Sequence, residues 1–148
     1  MSMPFGQCLC GAVRFALNAE VRFFYRCHCS LCRRQSGVGH NAATLVNAAD
    51  FRWLSGEKTV RSWRKPSGYR NDFCADCGST VPNLLNAGPY VWVPIGLLAE
   101  DAALVCIGDF CVDDSMQWDH TRGENPHAGG PESLDSLLTA LAVAGGGH

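Results

Sequence analysis

Tyr69-Arg70-Asn71-Asp72-Phe73-Cys74-Ala75-Asp76-Cys77-Gly78-Ser79 reads as a strand running into a tight turn that carries two cysteines. A related unit stands near the start of the chain. There Cys8-Leu9-Cys10-Gly11 precedes a segment in which Val13, Phe15 and Leu17 alternate with Arg14 and Ala16, the two-residue period of a half-buried strand. The two units look like paired zinc knuckles. A metal shared between them would staple the start of the domain to its middle, and its binding energy would be folding energy.

A third cluster, Cys27-His28-Cys29-Ser30-Leu31-Cys32, lies between them, so seven of the nine cysteines fall in three short clusters. Cysteines one or two residues apart on a turn can aim their thiolates at one point. Tetrahedral Zn²⁺ requires that geometry, with Zn–S distances of about 2.3 Å. Two pairs and a triple amount to one closed four-sulfur site with three ligands over, and three protein ligands leave the open position of a catalytic zinc. The central site is expected to hold zinc more weakly than the closed one, because its ligands share one short loop. A disulfide framework is the alternative. The odd cysteine count opposes it, as does Met1-Ser2-Met3-Pro4-Phe5-Gly6, which has neither the basic start nor the apolar run of a cleavable signal peptide. A cytoplasmic location is therefore expected. A thioredoxin-type dithiol at Cys74 and Cys77 would need a helix start within a βαβ unit, whereas the surroundings read as strands.

The 148 residues suit a single domain, and a formal charge of −2 lacks the basic footprint of a nucleic-acid binder. No apolar stretch approaches a bilayer-crossing length, so neither nucleic acid nor membrane is an expected partner. Further strands are predicted at Arg22–Arg26, Ala43–Val46, Phe51–Leu54, Thr59–Trp63, Tyr69–Phe73, Thr80–Leu85, Tyr90–Pro94 and Ala103–Ile107. Prolines at 82, 89 and 94 mark edges or strand ends. Ser30 to Ser36 is predicted as a short helix ending at Gly37. Leu134, Leu137, Leu138 and Leu141 form one face of an amphipathic helix, with Pro131 and Glu132 in its first turn and Gly145 to Gly147 as its stop. That helix packs on the domain or on a partner subunit, which in the second case makes a homodimer. Asp109 to Gly130 reads as a polar, irregular loop. These features divide the chain into a zinc-binding domain at 1–130 and a C-terminal helix with a glycine-rich tail at 131–148.

The order of Cys8-Leu9-Cys10-Gly11-Ala12-Val13, Cys27-His28-Cys29-Ser30-Leu31-Cys32-Arg33-Arg34 and Arg70-Asn71-Asp72-Phe73-Cys74-Ala75-Asp76-Cys77-Gly78-Ser79 resembles the glutathione-dependent formaldehyde-activating enzyme (GFA) and centromere protein V family. The resemblance implies a mainly β fold, the β-tent of antiparallel sheets shared with Rab nucleotide-exchange factors and translationally controlled tumour protein. It implies a structural zinc on Cys8, Cys10, Cys74 and Cys77 and a catalytic zinc on Cys27, Cys29 and Cys32. The implied chemistry is a carbon–sulfur lyase or synthase reaction between glutathione, or a similar small thiol, and formaldehyde. Arg33 and Arg34 stand where a glutathione carboxylate could meet them, or else are solvated helix-surface charge. The chain departs from the family around Met116-Gln117-Trp118-Asp119-His120, where Trp118 matches a family tryptophan with altered flanks.

Two other classes of function compete. A non-catalytic zinc-stabilised binding module needs only the four-sulfur staple, and a metal-storage or redox role would use the triple alone. His28, between two ligand cysteines, is expected to point away from their metal and to bond backbone. His40 is a weak acid–base candidate, and His120 and His127 carry no assigned role. Cys106 and Cys111 lie outside the motifs, Cys106 reading as a small core residue.

Overall fold

In the computed structural model, which describes residues 4–86, 88–99, 103–121 and 123–144, the alternating segments form short strands. In chain order these are β1 (Phe5–Gln7), β2 (Arg14–Leu17), β3 (Phe23–Cys27), β4 (Asn41–Asn47), β5 (Phe51–Ser55), β6 (Val60–Arg64), β7 (Arg70–Cys74), β8 (Asn83–Leu84), β9 (Tyr90–Pro94) and β10 (Val105–Phe110). Two α-helices accompany them, α1 (Ser30–Ser36) and α2 (Leu134–Ala140). The strands make three sheets: β1-β2-β5, β10-β3-β4-β9-β8, and the β6-β7 hairpin. All pairings are antiparallel except β10 with β3. The protein is thus mainly β, as its alternation implies.

Side chains that alternate in sequence sort as expected. Val13, Phe15 and Leu17 are buried while Arg14 is exposed. Phe15 and Leu17 pack with Val21, Val46, Val91 and Val93 between the first and second sheets. A second cluster joins Leu45, Tyr90 and Phe110 to Leu137, Leu138 and Leu141, so the leucine stripe of α2 covers the larger sheet. A third contains Cys8, Val13, Cys74 and Val81, and ties the first sheet to the hairpin.

Helix α1 covers the predicted residues. Cys29 is its N-cap, and Gly37 ends it with a left-handed φ of 78°, a conformation that glycine adopts without a Cβ clash. Four elements differ from expectation. β1 was not anticipated; three residues are too few to show a period, and its pairing with Arg14–Ala16 defines it. The strand expected at Thr80–Leu85 shrinks to Asn83–Leu84, with a lone bridge from Thr80 to Phe73, since Pro82 has no N–H to donate. β10 starts later than expected and runs into the segment read as irregular, ending at Phe110. Pro131 and Glu132 precede α2 rather than forming its first turn, because Ser133 and Ser136 cap the helix reciprocally. The glycine stop at 145–147 lies outside the described residues. Among those residues, no helix is long and apolar enough to cross a membrane.

Candidate metal centres and the cavity beside them

The turn after β1 and the turn after β7 meet. Leu9 N–H donates to Ser79 Oγ at 2.9 Å across them. Cys8 N–H bonds the Val13 carbonyl at 3.0 Å, and Gly78 N–H bonds the Cys74 carbonyl at 2.7 Å, which curls each turn around its sulfurs. Cys8, Cys10, Cys74 and Cys77 consequently place their Sγ atoms within 4.8 Å of one another. Cys8 and Cys10 are 3.7 Å apart and Cys10 and Cys74 are 3.8 Å apart. The edge of a zinc–sulfur tetrahedron is about 3.8 Å when Zn–S is about 2.3 Å, so the spacing fits zinc. The Ser79 hydroxyl and backbone N–H pull the Cys77 thiol down to about 6, and a thiol inclined to ionise is a ready metal ligand.

The second group is Cys27, Cys29 and Cys32, again with all Sγ atoms within 4.8 Å. Cys27 ends β3, Cys29 caps α1, and Cys32 sits in the first turn with its N–H 3.3 Å from Cys29 Sγ. Hydrogen bonds from Cys27 and Cys32, joined by backbone N–H groups of the helix start, hold Cys29 as the thiolate of the three, while Cys27 is pushed up. The Tyr69 hydroxyl approaches Cys32 Sγ at 3.7 Å and donates to Gln35 Oε1. Burial pushes up the thiol of Cys111, outside the sequence motifs, and Cys27 opposes that shift. Three soft donors on one rigid loop suit the same metal.

His28 belongs to neither cysteine group. Its ring is fully buried, and its partners are carboxylates, not the backbone groups expected. Nδ1 lies 2.7 Å from Asp119 Oδ2 and Nε2 lies 2.8 Å from Asp109 Oδ1. Arg26 forks onto Asp109 at 2.7 and 3.1 Å, and Gly123 N–H adds a bond at 2.9 Å. A Cβ at Gly123 would lie 2.6 Å from Asp109 Oδ2. Burial alone would raise Asp119, but bonds from Thr121 and His28 hold it down at about 2. The network fastens Asp119, Thr121 and Gly123 to the strand end that carries Cys27. His28→Ala leaves buried carboxylates without their shared partner and is expected to cost about 3–5 kcal/mol. Urea unfolding of the zinc-loaded protein measures this; a loss below about 1 kcal/mol, the scale of a surface pair, would contradict it. His40, whose ring centroid is 5.3 Å from that of His28, is lowered by burial and by its neighbour. His127 stacks on Phe110 at 4.6 Å.

A cavity of about 310 Å³ opens against Cys27 and Cys32. Tyr25, Tyr69, Trp92 and Phe110 supply aromatic walls, and Leu85 and Leu137 an aliphatic end. Arg33 and Arg34 lie on α1 but not among the residues lining it. Arg33 is half-buried with Nε unpaired, and Arg34 is exposed. The cavity was not legible in the sequence, since its walls come from β3, β9, β10, the 68–70 turn and α2.

A family model described as "Glutathione-dependent formaldehyde-activating enzyme" matches residues 3–112. A Halomonas elongata protein named "Putative glutathione-dependent formaldehyde-activating enzyme" is 33% identical over 82 residues, covering 51% of this chain and 52% of that protein. The match thus spans about half the length of that relative. The crystal structure of a Rhodobacter sphaeroides protein aligns with a TM-score of 0.53 at 21% identity, covering 83% of this chain and 98% of that one. This last likeness is one of fold.

Proposed function

The chain belongs to the glutathione-dependent formaldehyde-activating enzyme family, and from that premise we propose that it is a zinc-dependent carbon–sulfur lyase or synthase. Its substrates are a small thiol of the glutathione kind and a small aldehyde, or the thioadduct of the two. The observation that carries this reading is the three-sulfur group Cys27, Cys29 and Cys32 with a cavity open against it. A zinc-stabilised binding module would need the four-sulfur staple and no such opening.

Cys27, Cys29 and Cys32 hold the catalytic metal, and Cys8, Cys10, Cys74 and Cys77 hold the structural one. Zinc at the open site would keep a substrate thiol ionised and nucleophilic near neutral pH. In the forward direction the S–C bond forms, the C=O double bond becomes a C–OH single bond, and the proton lost by the thiol ends on that oxygen. The chain's own residues orient this reaction. Tyr69 steadies Cys32 and Gln35, and the guanidinium groups of Arg33 and Arg34 on α1 are candidate carboxylate partners outside the cavity. The three sheets and their cysteine staple support the β-tent reading of the fold. Residues 1–130 form the zinc-binding unit, with 131–148 as an appended helix and tail.

Thiols add to formaldehyde unaided, so the test must measure acceleration. Exchange NMR on glutathione and formaldehyde follows the adduct's formation and breakdown at equilibrium. Zinc-loaded protein is expected to speed the exchange, and the speeding should vanish with Cys29→Ser. An exchange rate unchanged by the wild-type protein would overturn the reading.

A further inference from the structure

Formaldehyde is scarcely bigger than water, whose share of liquid volume is about 30 Å³. The cavity against Cys27 and Cys32 measures about 310 Å³, at the small end of the range for ligand sites, about 300–1,000 Å³. Formaldehyde alone would leave most of it empty. Its walls also select against charge. Arg70 is the sole cationic side chain among the described lining residues, and its donors are taken. Nε and Nη2 bond Asp72 at 3.0 and 2.7 Å, and Nη1 bonds the Leu84 carbonyl at 3.2 Å. A carboxylate entering here would lose its water shell and gain no counter-charge.

Among the neutral polar side chains that line the cavity, Asn83 is the buried one. It is 6% exposed, and its carboxamide has no hydrogen bond among the described residues. Trp92 Nε1, by contrast, is used on the Tyr25 hydroxyl at 3.0 Å. The Asn83 amide atoms are not sealed off but open to the cavity, so a ligand carrying one hydroxyl or carbonyl can bond the amide in place of water. The aliphatic end of the cavity includes Leu137 of α2. That helix lies beyond residue 112, where the family match stops, so this wall belongs to this chain's own sequence.

We infer that the cavity is the subsite for an uncharged aromatic or branched-aliphatic substituent on the aldehyde-derived carbon, with Asn83 bonding that carbon's oxygen. This rests on the carbon–sulfur reading above and narrows it: the natural aldehyde is larger and more apolar than formaldehyde, and any carboxylate of the thiol stays outside. The adduct is the hemithioacetal, formed by the S–C bond with the thiol's proton transferred to the former carbonyl oxygen.

Benzyl alcohol tests the subsite without a thiol. It would be titrated into zinc-loaded protein while the Trp92 indole N–H resonance, assigned by its loss in Trp92→Phe, is followed by NMR. Benzyl alcohol is expected to shift that resonance, and benzoate to bind about tenfold more weakly, ~1.4 kcal/mol. Leu137→Trp should block the shift, with folding checked by the melting temperature. Asn83→Leu, which removes an unpaired amide and so leaves the fold intact, should erase the preference for benzyl alcohol over toluene. No shift at the solubility limit, or equal binding of benzoate, would overturn the inference. Benzyl alcohol cannot report on thiol activation. If it binds while exchange of glutathione with a larger apolar aldehyde is also not accelerated, the cavity still takes uncharged aromatics, but the carbon–sulfur reading falls and the aldehyde assignment is overturned with it.

Discussion

Cys74→Ser is expected to leave the domain unfolded at neutral pH. Cys74 is fully buried at the end of β7, packs with Cys8, Val13 and Val81, and lies 3.8 Å from Cys10 across the junction of two sheets. The staple joins segments 64 residues apart in sequence. Structural zinc sites contribute about 10–16 kcal/mol of apparent binding energy at neutral pH, against a typical domain stability of about 5–15 kcal/mol. Losing one of four ligands therefore weakens a term as large as the whole stability. Far-UV circular dichroism and thermal unfolding would show it. A cooperative transition within a few degrees of wild type would contradict the structural role of this site.

Cys29→Ser should have the opposite profile, with thiol-dependent turnover abolished and the fold kept. The serine hydroxyl can still cap α1, since serine is among the preferred N-cap residues, so the helix keeps the bond that Cys29 Sγ makes to Cys32 N–H. What disappears is one of the three sulfurs proposed to hold the catalytic metal. Turnover is expected to fall to the uncatalysed rate, with the melting temperature nearly unchanged. Full activity in this variant would remove Cys27, Cys29 and Cys32 from the chemistry.

The contrast between the two variants follows from features that differ in how plainly they show in a sequence. Cys8-Leu9-Cys10 and Cys74-Ala75-Asp76-Cys77 are local patterns with a geometric meaning. Their meeting in space depends on the pairing of β1 with β2 and β6 with β7; alternation marks β2, β6 and β7, but not β1 or the pairings themselves. α1 was legible because the triple, the cap and Gly37 are contiguous. The His28 network was not: its acids, Asp109 and Asp119, stand 81 and 91 residues away. Nothing local marks an aspartate at the end of a parallel strand as a histidine's partner. The cavity is less legible still, because its walls converge only after the larger sheet forms and α2 lies across it.

Stepwise chelation tests the central claim, that seven cysteines form one closed structural site and one open site of different strength. Zinc released to a chelator would be counted while circular dichroism follows the fold and glutathione binding is read by calorimetry. Two stages are expected. The first zinc leaves with secondary structure unchanged and glutathione binding lost, and the second leaves only as the domain unfolds. Release of all the zinc in one step, together with unfolding, would contradict it.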